Sequence, residues 1–142
     1  MLHIMKVAVG VQDIEHLLEI NRSLAKENGG YPYTLTRFPP KQIADILDQG
    51  SLYRVIKGIM CCRQIIKDFI PSTRENGSPC IKILLEPEII RTHSIPIKPF
   101  QGWRYLKPET APADLSRNNI ISRTNLPLKM KQDLKELGLI DY

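Results

Sequence analysis

Apolar positions along the first half of the chain switch between strand and helix periods. Ile4 to Val9 form a β-branched run with Lys6 on one face, which predicts a strand over 4–9. Ile14, Leu17, Leu18, Leu24 and Ala25 then share one helical stripe. Asp13 is placed to cap its start and Gly29-Gly30 to end it. Tyr31 to Phe38 reads as extended, with Tyr33, Leu35 and Arg37 on one face and Pro39-Pro40 closing it. Pro40 suits the first turn of a short helix carrying Ile43, Ile46 and Leu47, which Gly50 stops.

From Ser51 to Ile70 the pattern is β-like, interrupted at Gly58, where a glycine within strand sequence signals a bulge or tight bend. Pro71 and the Glu75-Asn76-Gly77 turn separate it from a strand over Cys80–Leu85, so the two run back along each other as a hairpin. From Pro87 onward, five prolines up to Pro112 allow short strands but no long helix. A polar loop from Leu115 leads to Asn125, which caps a last helix carrying Leu126, Met130, Leu134 and Leu137 and ended by Gly138. The order of elements predicts an α+β fold in one domain spanning residues 1–142. Its small, mainly antiparallel sheet is able to curl into a partly open β-barrel with flanking helices.

Composition narrows the class. The chain has 142 residues, 42% hydrophobic and 25% charged, which fits a folded domain rather than a disordered one. No run reaches the ~20 apolar residues of a membrane span, and the first residues lack a secretory pattern, so a cytoplasmic protein is expected. The three cysteines, Cys61, Cys62 and Cys80, have no metal-ligand spacing, and neighbours in a strand point to opposite faces. They read as buried thiols, with no metal and no cofactor expected. The net charge is +5, but its distribution is uneven. Residues 91–131 hold eight basic and two acidic side chains, a net of +6, while the rest is close to neutral. That is the footprint of a polyanion partner, or of a plain basic surface.

The densest chemical signal is Pro99-Phe100-Gln101-Gly102-Trp103-Arg104-Tyr105-Leu106, which contains the single Trp of the chain. Trp103 can stack on a base, with Tyr105 beside it; Arg104 can hold a phosphate, and Gln101 can read a base edge. Alternatively Trp103 plugs the core and Arg104 pairs with Asp114. Arg37 and Lys41, with Lys57 and Arg63 on either side of Gly58, form a second basic group. A charge amid such apolar strand neighbours emerges at a sheet edge, lines a polar cleft, or pairs with Asp45, Asp48 or Asp68. Hydrolase and nucleotide-loop motifs are missing. The pair Glu86 and Glu88, and His93 beside Ser94, lack orienting partners in sequence. Three functions remain. The first is an RNA, nucleobase or nucleotide binder using Arg37, Lys57, Arg63, Gln101, Trp103, Arg104 and Tyr105. The second is a small hydrolase or nucleotide-processing enzyme using Lys57 or Glu86 in the same cleft. The third is a protein-interaction module with Trp103 packed inside.

Nearly the whole chain resembles the bacterial family known as domain of unknown function 1489. The likeness runs through Met5-Lys6-Val7 with Val9-Gly10, Thr36-Arg37 and Pro40-Lys41, Ile46 to Tyr53, Val55 to Gly58, Arg63-Gln64 and Glu86-Pro87-Glu88. It is most specific in Pro99 to Glu109 with Ala111-Pro112. Arg54 stands where the resemblance implies Trp, and Ile95–Lys98 is less arginine-rich than the family pattern. The family carries no established activity. More distantly, the short helix ending in Leu47-Asp48-Gln49-Gly50, followed by a strand and a glycine bend, is similar to the opening of PUA-like barrels and their ASCH and EVE relatives. That likeness implies a partly open barrel whose cleft takes RNA or a modified base. The ASCH G-x-K-x-x-E-x-R motif is missing, so no amidohydrolase activity is implied.

Overall fold

The computed structural model describes residues 1–115. The helix predicted from Asn125 and the polar loop leading to it lie outside them, as do four of the eight basic residues of the 91–131 segment. Among the described residues the order is β1 (His3–Val7), α1 (Ile14–Glu27), β2 (Tyr33–Thr36), α2 (Ile43–Leu47), β3 (Ser51–Ile56), β4 (Ile59–Thr73), β5 (Pro79–Leu85), β6 (Ile90–Pro96) and β7 (Trp103–Leu106). The fold is α+β. The strands form one open seven-stranded sheet in the order β2-β5-β4-β3-β1-β7, with β6 added to β4. Only β1 and β3 pair in parallel; the other pairs are antiparallel.

Local chemistry explains the joints. Asp13 accepts a 2.7 Å hydrogen bond from the His16 N–H and so caps α1. Lys57 and Gly58, at φ 50° and 80°, are the two turn residues between Ile56 and Ile59. Both φ values are positive, as the tightest right-twisted hairpin requires. The Gly58 bend is therefore the β3–β4 turn, and Glu75-Asn76-Gly77 lies in the β4–β5 turn. β4 is long because β5 and β6 pair successive stretches of it, with register shifts where the strand bends.

One of those shifts corrects the expectation for the cysteines. Arg54 pairs with Cys62 and Val55 with Met60, so Cys61 is the extra residue of a bulge. Strict alternation is broken there, and Cys61 and Cys62 both enter the same cluster with Ala8, Val11, Ile14, Leu17 and Ile56. All three thiols are free and buried, as the sequence suggests.

Each face of the sheet has its own cover. On the helix-covered face, α2 brings Ile46 onto Ile4, Leu52, Ile66, Ile83 and Leu85, while α1 covers Ala8 and Ile56. On the other face Tyr53, Val55, Met60 and Leu106 are covered by Ile97, Phe100 and Ala111. A buried polar link ties α1 to the sheet: Asn21 Nδ2 donates to Gln64 Oε1 at 3.1 Å, and Gln64 Nε2 donates to the Glu86 carbonyl. α2 is locked at its C-terminal end, where the Gly50 N–H donates to Ile46 O at 2.7 Å and the Leu2 N–H donates to Asp45 O. A Cβ on Gly50 would collide with the carbonyl oxygens of both Ile46 and Leu2. Backbone oxygens cannot swing aside as a flexible side chain would. Gly50→Ala is expected to cost about 3 kcal/mol, read as a lower urea midpoint at an unchanged slope.

Candidate functional site

Strand alternation divides the aromatic motif between the two faces of the sheet. Trp103 lies opposite Lys6 and Tyr105 opposite Ile4, whereas Arg104 lies opposite Met5. Directly opposed residues share a face, so Trp103 and Tyr105 point to the helix-covered side and Arg104 to the other. Trp103 packs half-buried against the Ile4–Leu52 cluster, with its ring edge-on to Tyr105 at 4.8 Å. Arg104 sits over the Phe100 ring at 5.2 Å. It does not take the predicted pairing with Asp114, because Arg63 does.

The two rings hold a loop. Trp103 Nε1 donates to the Phe38 carbonyl at 2.8 Å. The Tyr105 hydroxyl oxygen accepts from the backbone N–H groups of Lys41 and Gln42 at 3.0 and 3.3 Å. Phe38 to Gln42 connects β2 to α2, and β2 and β7 are the two ends of the sheet path. Trp103 and Tyr105 therefore close the sheet into a partly open barrel through side chains in place of a strand ladder.

The loop they hold carries an exposed aromatic surface. Phe38 is 64% exposed, unusual for a large apolar ring, and the Arg37 guanidinium lies 5.2 Å from its centroid. Beside it a groove of about 560 Å³ is lined by Arg37, Phe38, Arg74, Ser78, Pro79, Cys80 and Ile81. Two of these are cations and none is an acid.

The other predicted residues lie elsewhere. Lys57 is exposed on the β3–β4 turn and lines a second hollow with Val55, Ile97 and Phe100. Gln101 is exposed just before β7. Arg63 is engaged: Nε and Nη2 each reach an Asp114 carboxylate oxygen at 2.8 Å, and Nη1 donates to Ser51 Oγ at 2.7 Å. The expected partners Asp45, Asp48 and Asp68 give way to Asp114, which the chain returns beside β6 through the Thr92–Asp114 bridge. Close by, the Ser51 N–H donates to His3 Nδ1 at 3.0 Å. Burial, followed by the Arg63 charge, lowers the His3 pKa. Lys57 and Glu86 fall at opposite ends of the β3–β4 pair: Lys57 is in its turn, while the Glu86 N–H bonds Ile65 O at the open end. They do not share a cleft.

Two further cations come together that the local sequence pattern does not mark. The parallel register sets Lys6 beside Arg54 on the helix-covered face, between the Ile4–Leu52 and Ala8–Ile56 layers. Arg54 is 6% exposed, and its Nε has no hydrogen-bond partner. Burial first, then the Arg54 and Arg74 charges, pushes the Lys6 ammonium down to about 8. Only the pairing of β1 with β3 brings the two together, and that pairing spans 48 positions.

Two expected outcomes follow from this geometry. Trp103→Phe keeps the packing but loses the bond to Phe38, and Tyr105→Phe loses the acceptor for the Lys41 N–H. Each is expected to cost about 1 kcal/mol and to speed amide exchange at Lys41 and Gln42 more than in the core strands. For Lys6, the unfolded chain binds the proton more tightly than the folded one between pH 8 and the ordinary lysine value. Stability should therefore rise with pH across that window, and Lys6→Met should flatten the rise in urea titrations.

No described helix is long and apolar enough to cross a membrane, and no group of three or more metal-ligating side chains occurs among the described residues. No curated protein and no solved structure matches the chain. The match that is found covers almost its full length, from residue 4 to residue 140, and by it the chain belongs to the family described as protein of unknown function, DUF1489.

Proposed function

We propose that this protein binds RNA or a nucleotide in the groove between Phe38 and the β4–β5 turn, in the manner of a PUA-like cleft. The supporting observation is the exposed Phe38 ring with Arg37 against it, opening onto a groove that carries Arg74 and no acid. An exposed ring flanked by guanidinium groups offers a base a stacking surface and its phosphates a charge partner. The groove volume lies within the range of small-ligand sites.

Trp103 and Tyr105 serve this reading by holding the loop that presents Phe38, so the stacking role passes from the indole to the phenyl ring. Lys41, exposed in the same loop, extends the positive surface. Arg104 and Lys57, each beside Phe100, offer phosphate contacts along a longer strand, with Gln101 at the approach to β7. Arg63 shapes the Asp114 side of the barrel and is not available to a phosphate while that pair stands.

Fluorescence anisotropy with a short single-stranded RNA at 50 and 200 mM salt tests the proposal. Binding should weaken as salt rises. Phe38→Ala should lower affinity by about tenfold, the loss of one base stack, and Arg37→Ala or Arg74→Ala should each reduce the salt slope by about one. Absent binding, or binding indifferent to salt and to Phe38→Ala, would rule it out.

A further inference from the structure

We propose that the cavity between α1 and the sheet is a binding site for a small dianionic oxyanion, a phosphate monoester head, held by Lys6 and Arg54. This site is separate from the Phe38 groove and does not depend on that reading.

The cavity has a volume of about 210 Å³ and is lined by Lys6, Arg54, Asn21, Tyr33 and Thr34 together with apolar residues of α1 and the chain after β1. At about 30 Å³ per water, it has room for an oxyanion with a little solvent. The lining contains no acid. Neither Lys6 nor Arg54 forms an ion pair among the described residues. The acids of α1, Glu15, Glu19 and Glu27, are exposed, and Glu15 bonds Arg91 at 3.1 Å.

Arg54 is the decisive residue. A guanidinium is always charged, and a buried charge without a partner is among the most costly features a fold can keep. Here it sits in the middle of β3, where every residue is buried, with its Nε unsatisfied and its side chain on the cavity wall. A merely structural arginine would have an acid opposite; its strand partner here is Cys62. Lys6, on the adjacent strand at the same level, adds a second positive charge. Burial first, and then the Arg54 and Arg74 charges, depresses the Lys6 pKa.

Two fixed cations match two negative charges, and a guanidinium fork offers parallel donors to an oxyanion. Asn21 and Thr34 add neutral hydrogen-bonding groups to the wall. The apolar α1 side, with Leu17, Ile20 and Leu24, lowers the local dielectric and so strengthens the attraction. A monoester group fits this set better than a diester, which carries one charge and two bulky arms.

The experiment compares thermal unfolding in phosphate, methyl phosphate, dimethyl phosphate and acetate, each against chloride at equal ionic strength. Inorganic phosphate and methyl phosphate should raise the wild-type Tm by about 5 °C once well above saturation. Dimethyl phosphate and acetate should not. Isothermal titration of phosphate into wild type should show one site, lost in Lys6→Met and Arg54→Met. In chloride, Arg54→Met should be as stable as wild type or more so, because it removes an unpaired buried charge; Lys107→Ala controls for surface basicity and should keep the full response. If Arg54→Met does not fold, the titration of wild type against Lys6→Met decides alone. A phosphate response that persists in Lys6→Met, an equal response to acetate, or no response in wild type would overturn the assignment.

Discussion

The barrel depends on a seam that has no backbone ladder. Its end strands, β2 and β7, are joined by one indole N–H on the Phe38 carbonyl and one phenol oxygen under two backbone N–H groups. Each such bond contributes about 1 kcal/mol net, far less than the buried clusters on either side of the sheet. The seam's value is therefore positional. It fixes where the loop from Phe38 to Gln42 lies against β7, and with it the Phe38 wall of the groove.

The helix-covered face is layered. Ile4 and Leu52 under α2 form one apolar layer, and Ala8 and Ile56 under α1 form another. Between them lie Lys6 and Arg54, with Gln64 and Asn21 bonded nearby. A fold optimised only for stability would place two aliphatic side chains at that level. The polar pair Asn21–Gln64 is satisfied, and so is consistent with a purely structural role. Arg54 is not: its Nε has no hydrogen-bond partner, and neither it nor Lys6 forms an ion pair among the described residues, which separates the two polar features.

Much of the fold is legible in the sequence because its signals are local. The Asp13 cap, the Gly50 stop, the Lys57-Gly58 bend and the Asn76-Gly77 turn each depend on backbone requirements within a few residues. The site is less legible because it depends on register. Pro99 to Leu106 gathers aromatics and arginine in sequence, yet alternation along β7 sends Trp103 and Arg104 to opposite faces. Arg63 finds Asp114, 51 residues away, because the chain returns beside β6. Lys6 reads as a charge tolerated on one strand face, and Arg54 as a departure from a family pattern. A buried charge must pair, emerge or line a cavity; applied to Arg54, that rule leaves three outcomes open. Which of the three holds required the β1–β3 pairing. The bulge at Cys61 is invisible for the same reason, since nothing in Met60-Cys61-Cys62 marks the position where alternation fails.

Arg74 connects the two hollows electrostatically. It lines the groove beside Phe38, and its charge is among those that depress Lys6. A dianion seated on Lys6 and Arg54 would offset part of the positive field that a polyanion meets in the groove. Linkage then requires the reverse as well: a phosphate chain lying along Arg74 would stabilise the charged form of Lys6 while repelling an oxyanion in the cavity by the same free energy. The sign of this coupling follows from charge alone. Its size depends on how far the medium between the two hollows screens charge, and protein interior screens poorly compared with water.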